Sequence, residues 1–182
     1  MAATHICPWW AAYFFDNSLR GIFHRPEKML GQYVQPGMTV MDLGCGMGYF
    51  SIAMARMVGP GGRVVAVDIQ EKMLKVLAKR AEAAGVLDRI QLSLSGPGGI
   101  GVKEKADFVL AMWMLHEVPD VEEFLRRVRA LVKEGGKFLI VEPKAHVSLS
   151  EFKEMLSVFN RLGFKKIAEP KVALSRAALF TV

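Results

Sequence analysis

A glycine-rich stretch is the part of the sequence with the most specific chemistry. Gly44, Gly46 and Gly48 follow the apolar run Thr39–Leu43 and open a helical pattern. Glycine permits positive φ angles and lets a ligand approach the backbone closely. The start of a helix adds free N–H groups and a positive dipole end, which suit an anionic group. A ligand-free turn is the alternative, but three glycines between a strand and a helix favour a binding loop.

A carboxylate further along the chain extends this pattern. Asp68 ends the second predicted strand, 20 residues after Gly48. At that place an acidic side chain can accept hydrogen bonds from both hydroxyls of an adenosine ribose. Alone, Asp68 would fit a helix N-cap equally well. Together with the glycine loop, it predicts a ligand that contains a nucleoside.

The spacing of the glycines discriminates between nucleotide-binding classes. Dehydrogenases carry G-x-G-x-x-G, whereas this loop reads G-x-G-x-G. Tyr49 occupies the place of the third dehydrogenase glycine, where it would crowd a pyrophosphate. A P-loop needs Gly-Lys-Ser/Thr, which does not follow here. The loop therefore favours neither a dinucleotide nor a nucleoside triphosphate.

The elements that must position these residues alternate along the chain. Strand patterns are separated by helical patterns, which predicts a mostly parallel sheet with helices on both faces. The predicted strands are Thr39–Leu43, Arg63–Asp68, Arg89–Leu94, Ala106–Met112, Lys137–Glu142, Phe164–Ala168 and Ala177–Val182. The predicted helices run from Pro26 to Val34, Met47 to Val58, Glu71 to Ala84, Asp120 to Lys133, and from a Ser148 or Ser150 cap to Leu162.

Composition limits the class of protein. The chain has 182 residues, of which 52% are hydrophobic, which fits one folded domain and excludes disorder. Two cysteines, Cys7 and Cys45, fit a reducing compartment better than a disulfide scaffold. No run of 18 apolar residues and no signal-peptide pattern occur. We therefore expect a cytoplasmic protein without a membrane span.

The chain is basic, with a net charge of +6 and a pI of about 9.4. This balance permits an acidic partner. However, the basic residues are spread along the chain, and the densest groups stand at helical spacing, as on a solvated helix face. Nucleic acid is therefore the less favoured partner.

The first 36 residues differ from the rest of the chain. They are rich in aromatic side chains and lack the alternation of a strand, so we expect two or three short helices. The aromatic residues are Trp9, Trp10, Tyr13, Phe14, Phe15 and Phe23. This segment cannot form a core alone. We predict that residues 1–36 form a helical cap or lid on a core of residues 37–182, and an interface with another chain is the alternative.

Three motifs together resemble a known family. Asp42-Leu-Gly-Cys-Gly-Met-Gly48 and Val65-Ala-Val-Asp68 resemble motif I and the second-strand acid of class I S-adenosylmethionine-dependent methyltransferases. Ala106–Glu117 extends the resemblance to the small-molecule branch related to ubiquinone/menaquinone-biosynthesis methyltransferases. The resemblance covers about residues 36–182. It implies a Rossmann-like α/β fold, whose seven-stranded sheet is mostly parallel with an antiparallel last strand.

The resemblance also implies a cofactor and residues that bind it. The cofactor is S-adenosylmethionine, with S-adenosylhomocysteine as its product. The three glycines lie against the methionyl part, Asp42 steadies their loop, and Asp68 holds the ribose. Ile69 and Gln70 flank the adenine with Met73 beneath, and Ala111 and Met112 line the sulfonium side. Further expected contacts are Cys45, Tyr49, Phe50, Ser95, Gly96 and His116. Many relatives bond the adenine amine with an acidic residue after strand three, where this chain has Ser95 or a backbone carbonyl.

Methyl transfer depends mainly on alignment and exclusion of water. A base is needed only if the nucleophile must lose a proton. Candidates at the ends of strands are His116, Glu117, Glu142 and His146. His116 is the best placed, with Glu117 beside it, although packing over the cofactor is an alternative role for His116. Glu142 could face the site or form a structural ion pair.

Motifs that are missing narrow the acceptor. The sequence after strand four lacks the Asn/Asp-Pro-Pro-Tyr/Phe of nucleic-acid amino-methyltransferases and the metal-binding carboxylates of catechol-type enzymes. His5 and Cys7 are too few for a zinc site. We therefore expect a small, partly apolar acceptor and no metal. An RNA or protein methyltransferase and a non-catalytic S-adenosylmethionine-binding domain remain alternatives, and the oligomeric state stays open.

Overall fold

A seven-stranded sheet organises the chain, for which the computed structural model describes residues 24–96 and 99–182. The sheet order is β3-β2-β1-β4-β5-β7-β6. The strands are β1 (Thr39–Leu43), β2 (Arg63–Asp68), β3 (Ile90–Leu94), β4 (Ala106–Met112), β5 (Val132–Pro143), β6 (Lys165–Ala168) and β7 (Ser175–Thr181). β1 to β5 pair in parallel, and β7 is antiparallel to both β5 and β6. The predicted fold class is confirmed.

Helices cover both faces of this sheet. They are α1 (Pro26–Leu30), α2 (Tyr49–Val58), α3 (Glu71–Ala83), α4 (Val121–Leu131) and α5 (Leu149–Arg161). Leu30, Met54 and Leu77 bring α1, α2 and α3 into one hydrophobic cluster. Leu125 and Phe159 bring α4 and α5 into a second cluster on the opposite face. Central strands are therefore buried on both sides, which explains their continuous apolar sequence.

The order of the strands reverses between β1 and β4. β2 and β3 lie on one side of β1, whereas β4 and β5 lie on the other. Leu43 pairs with Ala111, so the carboxyl ends of β1 and β4 are adjacent. In open α/β sheets, ligands bind outside the carboxyl ends of strands at such a reversal. The fold thus locates a binding crevice at the glycine loop.

Several predicted boundaries shift for local reasons. α2 begins at Tyr49 rather than Met47, because its N-cap Gly48 has a left-handed φ of 89°. The first helix ends at Leu30 instead of Val34. The fourth helix ends at Leu131 and β5 begins at the next residue.

The early start of β5 comes from an irregular pairing with β4. Val132 pairs with Ala106, and the next registered pair is Lys137 with Phe108. The four residues between Val132 and Lys137 bulge out, with Gly135 at a φ of 72°. Gly135 and Gly136 therefore lie inside the strand rather than between a helix and a strand.

Residues 1–23 of the predicted cap lie outside the described residues. The described part of that segment, from His24 to α1, packs on the α2 face, with Leu30 fully buried. Within residues 24–96 and 99–182, no helix is long and apolar enough to cross a membrane.

Candidate functional site

The three loop glycines are required for different reasons. Gly44, Gly46 and Gly48 all have positive φ angles, of 67°, 52° and 89°. A Cβ on Gly44 would lie 2.8 Å from Cβ of Met114, and a Cβ on Gly48 would lie 2.6 Å from Cγ of Leu77. A Cβ on Gly46 would meet nothing within 4 Å. Packing thus explains Gly44 and Gly48, whereas Gly46 borders open space that a ligand could fill.

Asp68 fastens the glycine loop to the end of β2. Its Oδ2 accepts a hydrogen bond from the Gly46 backbone N–H at 2.9 Å, and its Oδ1 accepts one from the Gln70 N–H at 2.8 Å. A carboxylate offers about four acceptor sites, so Asp68 has capacity for a further donor. Burial raises the pKa of Asp68, and the backbone hydrogen bonds from Gln70 and Gly46 oppose that rise. The predicted ribose acceptor therefore lies directly beside the loop glycine that faces open space.

Asp42 connects β1 to the first turn of α2. Its side chain is buried, and Oδ2 accepts the hydroxyl of Ser51 at 2.5 Å. Because β1 and α2 flank the glycine loop, this bond fixes one end of the loop relative to the other. The contact supports the predicted role of Asp42 in steadying the loop. Ser51 was not among the predicted site residues, although a hydroxyl in the first turn after such a loop is a recognisable signal.

The ends of β2 and β3 form the side of the crevice predicted for adenine. Ile69 is half exposed, and Met73 is buried in α3. The Ser95 N–H donates to the Asp68 carbonyl at 2.9 Å, and the Ser95 hydroxyl donates to the Gly99 carbonyl at 3.2 Å. The structure therefore places Ile69 and Ser95 next to Asp68, with Met73 in the first turn of the following helix α3.

The chain turns sharply after β4. Trp113 adopts a left-handed φ of 61°, a conformation that is strained for a bulky residue. Its backbone N–H donates to the Val141 carbonyl at 2.8 Å, and its indole N–H donates to the Ser175 hydroxyl at 2.9 Å. These bonds hold the turn next to the buried ends of Ala111 and Met112. Trp113 was not among the predicted site residues, because its backbone conformation leaves no sequence signal.

His116 and Glu142 form a hydrogen-bonded pair beyond the same turn. Glu142 is fully buried at the end of β5. Its Oε2 lies 2.5 Å from Nδ1 of His116, and its Oε1 accepts the Leu115 backbone N–H at 3.0 Å. Burial acts to lower the pKa of His116, but the hydrogen bond and charge of Glu142, with the charge of Glu117, raise it overall. Glu142 thus pairs with His116, the best-placed candidate base.

The side chains of three predicted site residues are held by contacts within the protein. The side chains of Cys45 and Phe50 pack in the core cluster under α2, so only their backbones could reach a ligand. The Tyr49 hydroxyl donates to the His24 carbonyl at 2.7 Å. Burial, with the charges of Asp42 and Asp68, raises the pKa of the Cys45 thiol well above its usual range. This rise disfavours the thiolate form of Cys45.

The predicted site residues thus follow four neighbouring strands at the carboxyl edge of the sheet. The glycine loop follows β1, Asp68 ends β2, Ser95 follows β3, and the turn that carries His116 follows β4. The contact between Gly44 and Met114 joins the loop to that turn. In residues 24–96 and 99–182, no group of three or more His, Cys, Asp or Glu side chains could hold a metal ion.

A family model described as a methyltransferase domain matches residues 34–170. The chain belongs to this methyltransferase domain family. The matched range runs from before β1 to the end of β6, so it contains the glycine loop, Asp68, Ser95, His116 and Glu142.

Curated relatives and solved structures agree with this membership. The chain is 29% identical over 153 residues to the demethylmenaquinone methyltransferase of Bacillus cytotoxicus, covering 80% of this chain and 64% of the relative. It is 31% identical over 121 residues to the enzyme of the same name from Symbiobacterium thermophilum, covering 66% of this chain and 48% of the relative. The methyltransferase domain described here thus spans less than two thirds of the length of these relatives.

Two solved structures share the fold of this methyltransferase domain. A SAM dependent methyltransferase from Aquifex aeolicus superposes with a TM-score of 0.88 at 21% identity, covering 97% of this chain and all of that one. Fibrillarin from Aeropyrum pernix, solved with natively bound S-adenosyl-L-methionine, superposes with a TM-score of 0.64 at 17% identity, covering 82% of this chain and 68% of that one. At these identities, the likeness shows the fold.

Proposed function

We propose that this methyltransferase domain binds S-adenosylmethionine and transfers its methyl group to a small, partly apolar acceptor. The contact between Asp68 and the Gly46 N–H, beside open space on Gly46, carries the proposal. Such a site offers a carboxylate for ribose hydroxyls and a bare backbone surface for the amino-acid part. When bound, the cofactor supplies a methyl group on a positively charged sulfur.

The side of the crevice after β4 supports a partly apolar acceptor. Met112 is buried there, and Trp113 and Met114 are partly buried against the two core clusters. The curated relatives are named for demethylmenaquinone. A 1,4-naphthoquinol is therefore the first acceptor to assay for this chain.

The first test asks whether the open space beside Gly46 is occupied by the ligand, and it uses a matched pair of variants. Gly46 and Gly85 both have positive φ angles, of 52° and 66°, and a Cβ on either meets nothing within 4 Å. We expect Gly46→Ala and Gly85→Ala to lose similar stability, about 1 kcal/mol each, because alanine resists this backbone conformation. Only Gly46→Ala should weaken binding of S-adenosylhomocysteine in calorimetry, because its new methyl group occupies ligand space.

Two results would overturn this proposal. One is wild-type binding of S-adenosylhomocysteine by Gly46→Ala, which would make the loop structural only. The other is tight binding of NAD without binding of S-adenosylhomocysteine. A different result supports the non-catalytic alternative. In that case the cofactor binds, but no methyl group is transferred to the naphthoquinol, to other small molecules, to protein or to RNA.

We further propose that the domain works in the cytoplasm on a small-molecule acceptor. Cys45, the free cysteine of the described residues, is buried and needs no oxidising compartment. Two carboxylates, Asp68 and Glu142, are buried at the carboxyl ends of the strands. This arrangement supports a neutral acceptor over a nucleic-acid backbone.

A further inference from the structure

Glu142 holds the turn after β4 by two neighbouring residues at once. Its Oε1 accepts the Leu115 backbone N–H, and its Oε2 accepts from the ring of His116. No part of Glu142 is exposed to solvent, whereas 21% of the His116 side chain is exposed. The carboxylate therefore fixes both the backbone of the turn and the orientation of the imidazole ring that reaches the surface.

The bond to Glu142 also determines which ring nitrogen of His116 carries a proton. An ionised carboxylate can only accept hydrogen bonds, so Nδ1 must donate. In the neutral ring, Nε2 then keeps its lone pair and can accept a proton. The same carboxylate stabilises the imidazolium that forms afterwards, because the two groups then carry opposite charges.

The charges around His116 favour a stronger base than free histidine. Glu142 from β5 and Glu117 from the same turn raise its pKa, and burial works against them. The ring of His146, from the turn after β5, meets it edge-on with centroids 5.6 Å apart. Because the pKa is raised, the neutral, proton-accepting form becomes dominant only above the ordinary histidine range.

We infer that Glu142 is a positioning residue that orients His116, so that Nε2 of His116 accepts a proton from the molecule that receives the methyl group. This inference rests on the proposed methyl transfer. The methyl acceptor is then a molecule whose attacking atom carries a proton, as a quinol hydroxyl or an acidic ring carbon does. This atom gives its proton to Nε2 of His116, and the electron pair left behind forms the bond to the methyl carbon. The bond from that carbon to sulfur breaks, and its electron pair stays on sulfur.

Nitrogen NMR of the histidine side chains tests the inference without any acceptor. The chain has four histidines, and the signals of His116 and His146 are assigned by their loss in the His116→Gln and His146→Asn variants. In the wild-type chain, neutral His116 should carry its proton on Nδ1 and titrate above the ordinary histidine pKa. In Glu142→Gln the pKa of His116 should fall, because burial then opposes the charged form with less compensation. His146→Asn is the matched control and should leave the Nδ1–H form in place.

The NMR results test the role of Glu142 independently of the proposed methyl transfer. A neutral His116 protonated on Nε2 in the wild-type chain overturns it, and this result does not require Glu142→Gln to fold. An unchanged His116 pKa in folded Glu142→Gln also overturns it. Calorimetry with S-adenosylhomocysteine on the same samples reports on the proposed function, so loss of cofactor binding and loss of the His116 pairing are distinguishable.

Discussion

At the scale of single residues, one carboxylate serves both the loop and the proposed ligand. Asp68 accepts backbone N–H bonds from Gly46 and Gln70 through different oxygens. These bonds place the carboxylate beside Gly46, which borders open space. The glycine loop and the ribose acceptor are therefore one structural unit, so a change in Asp68 affects both.

We predict that Asp68→Asn weakens binding of S-adenosylhomocysteine by roughly 1.5–3 kcal/mol for each charge-assisted hydrogen bond lost. The amide nitrogen of asparagine cannot accept, so one backbone N–H also loses its partner. Asp107→Asn is a matched control, because Asp107 accepts the Thr39 N–H at 2.9 Å and pairs with Lys133 at the opposite end of the sheet. Calorimetry should show a loss of affinity for Asp68→Asn only, and equal losses for both variants would contradict the assignment.

At the scale of elements, the contact between α2 and α3 sets the geometry of the loop. Leu77 of α3 packs so closely on Gly48 that a Cβ there would lie 2.6 Å from Cγ of Leu77. Arg80, one turn further along α3, donates to the Met47 carbonyl at 3.4 Å. The loop is therefore contacted by Leu77 and Arg80 of α3. The hydrogen bonds of Ser51 to Asp42 and of Gly46 to Asp68 add to these contacts.

We predict that Gly48→Ala destabilises the chain through Leu77. Overpacking of about 1–3 kcal/mol adds to backbone strain of roughly 1–2 kcal/mol at a φ of 89°. The Gly85→Ala variant measures the backbone part alone. In a Leu77→Ala background the added cost of Gly48→Ala should shrink, as measured by urea unfolding in a double-mutant cycle. If the two changes were additive, the contact would not explain the glycine.

The sequence predicted the sheet and the crevice because local patterns encode them. Apolar runs indicate the strands, glycines mark helix ends, and the position of Asp68 marks the end of β2. The early start of β5 was missed, because its pairing of Val132 with Ala106 depends on a distant strand. His116 and Glu142 are 26 positions apart in the chain. The sequence therefore marked both as candidates but did not show that they contact each other.

At the scale of the whole molecule, the N-terminal segment is anchored on the crevice side of the sheet. His24 is buried, its Nε2–H donates to the Ala173 carbonyl at 3.0 Å, and its carbonyl accepts the Tyr49 hydroxyl. Its ring meets that of Trp113 edge-on with centroids 5.0 Å apart. His24 thus contacts the start of α2, the turn after β4 and the loop before β7, which supports the proposed cap role of residues 1–36.

We predict that deletion of residues 1–23 leaves a folded domain that binds S-adenosylhomocysteine more weakly and transfers little methyl group. A cap excludes water that would otherwise solvate the attacking atom. Hydrogen exchange provides the measurement, because addition of S-adenosylhomocysteine should slow exchange in residues 9–24 as well as in the glycine loop. If residues 9–24 respond to protein concentration and not to ligand, the segment is an interface between chains.

A crystal structure of the chain with S-adenosylhomocysteine tests the central claim most directly. The account predicts ribose hydroxyls on the Asp68 carboxylate and the amino-acid part over Gly46. It also predicts the sulfur on the side of the crevice where Met112 and His116 follow β4. Density for the ligand away from the glycine loop, or a loop that keeps Gly46 closed to it, would contradict the account.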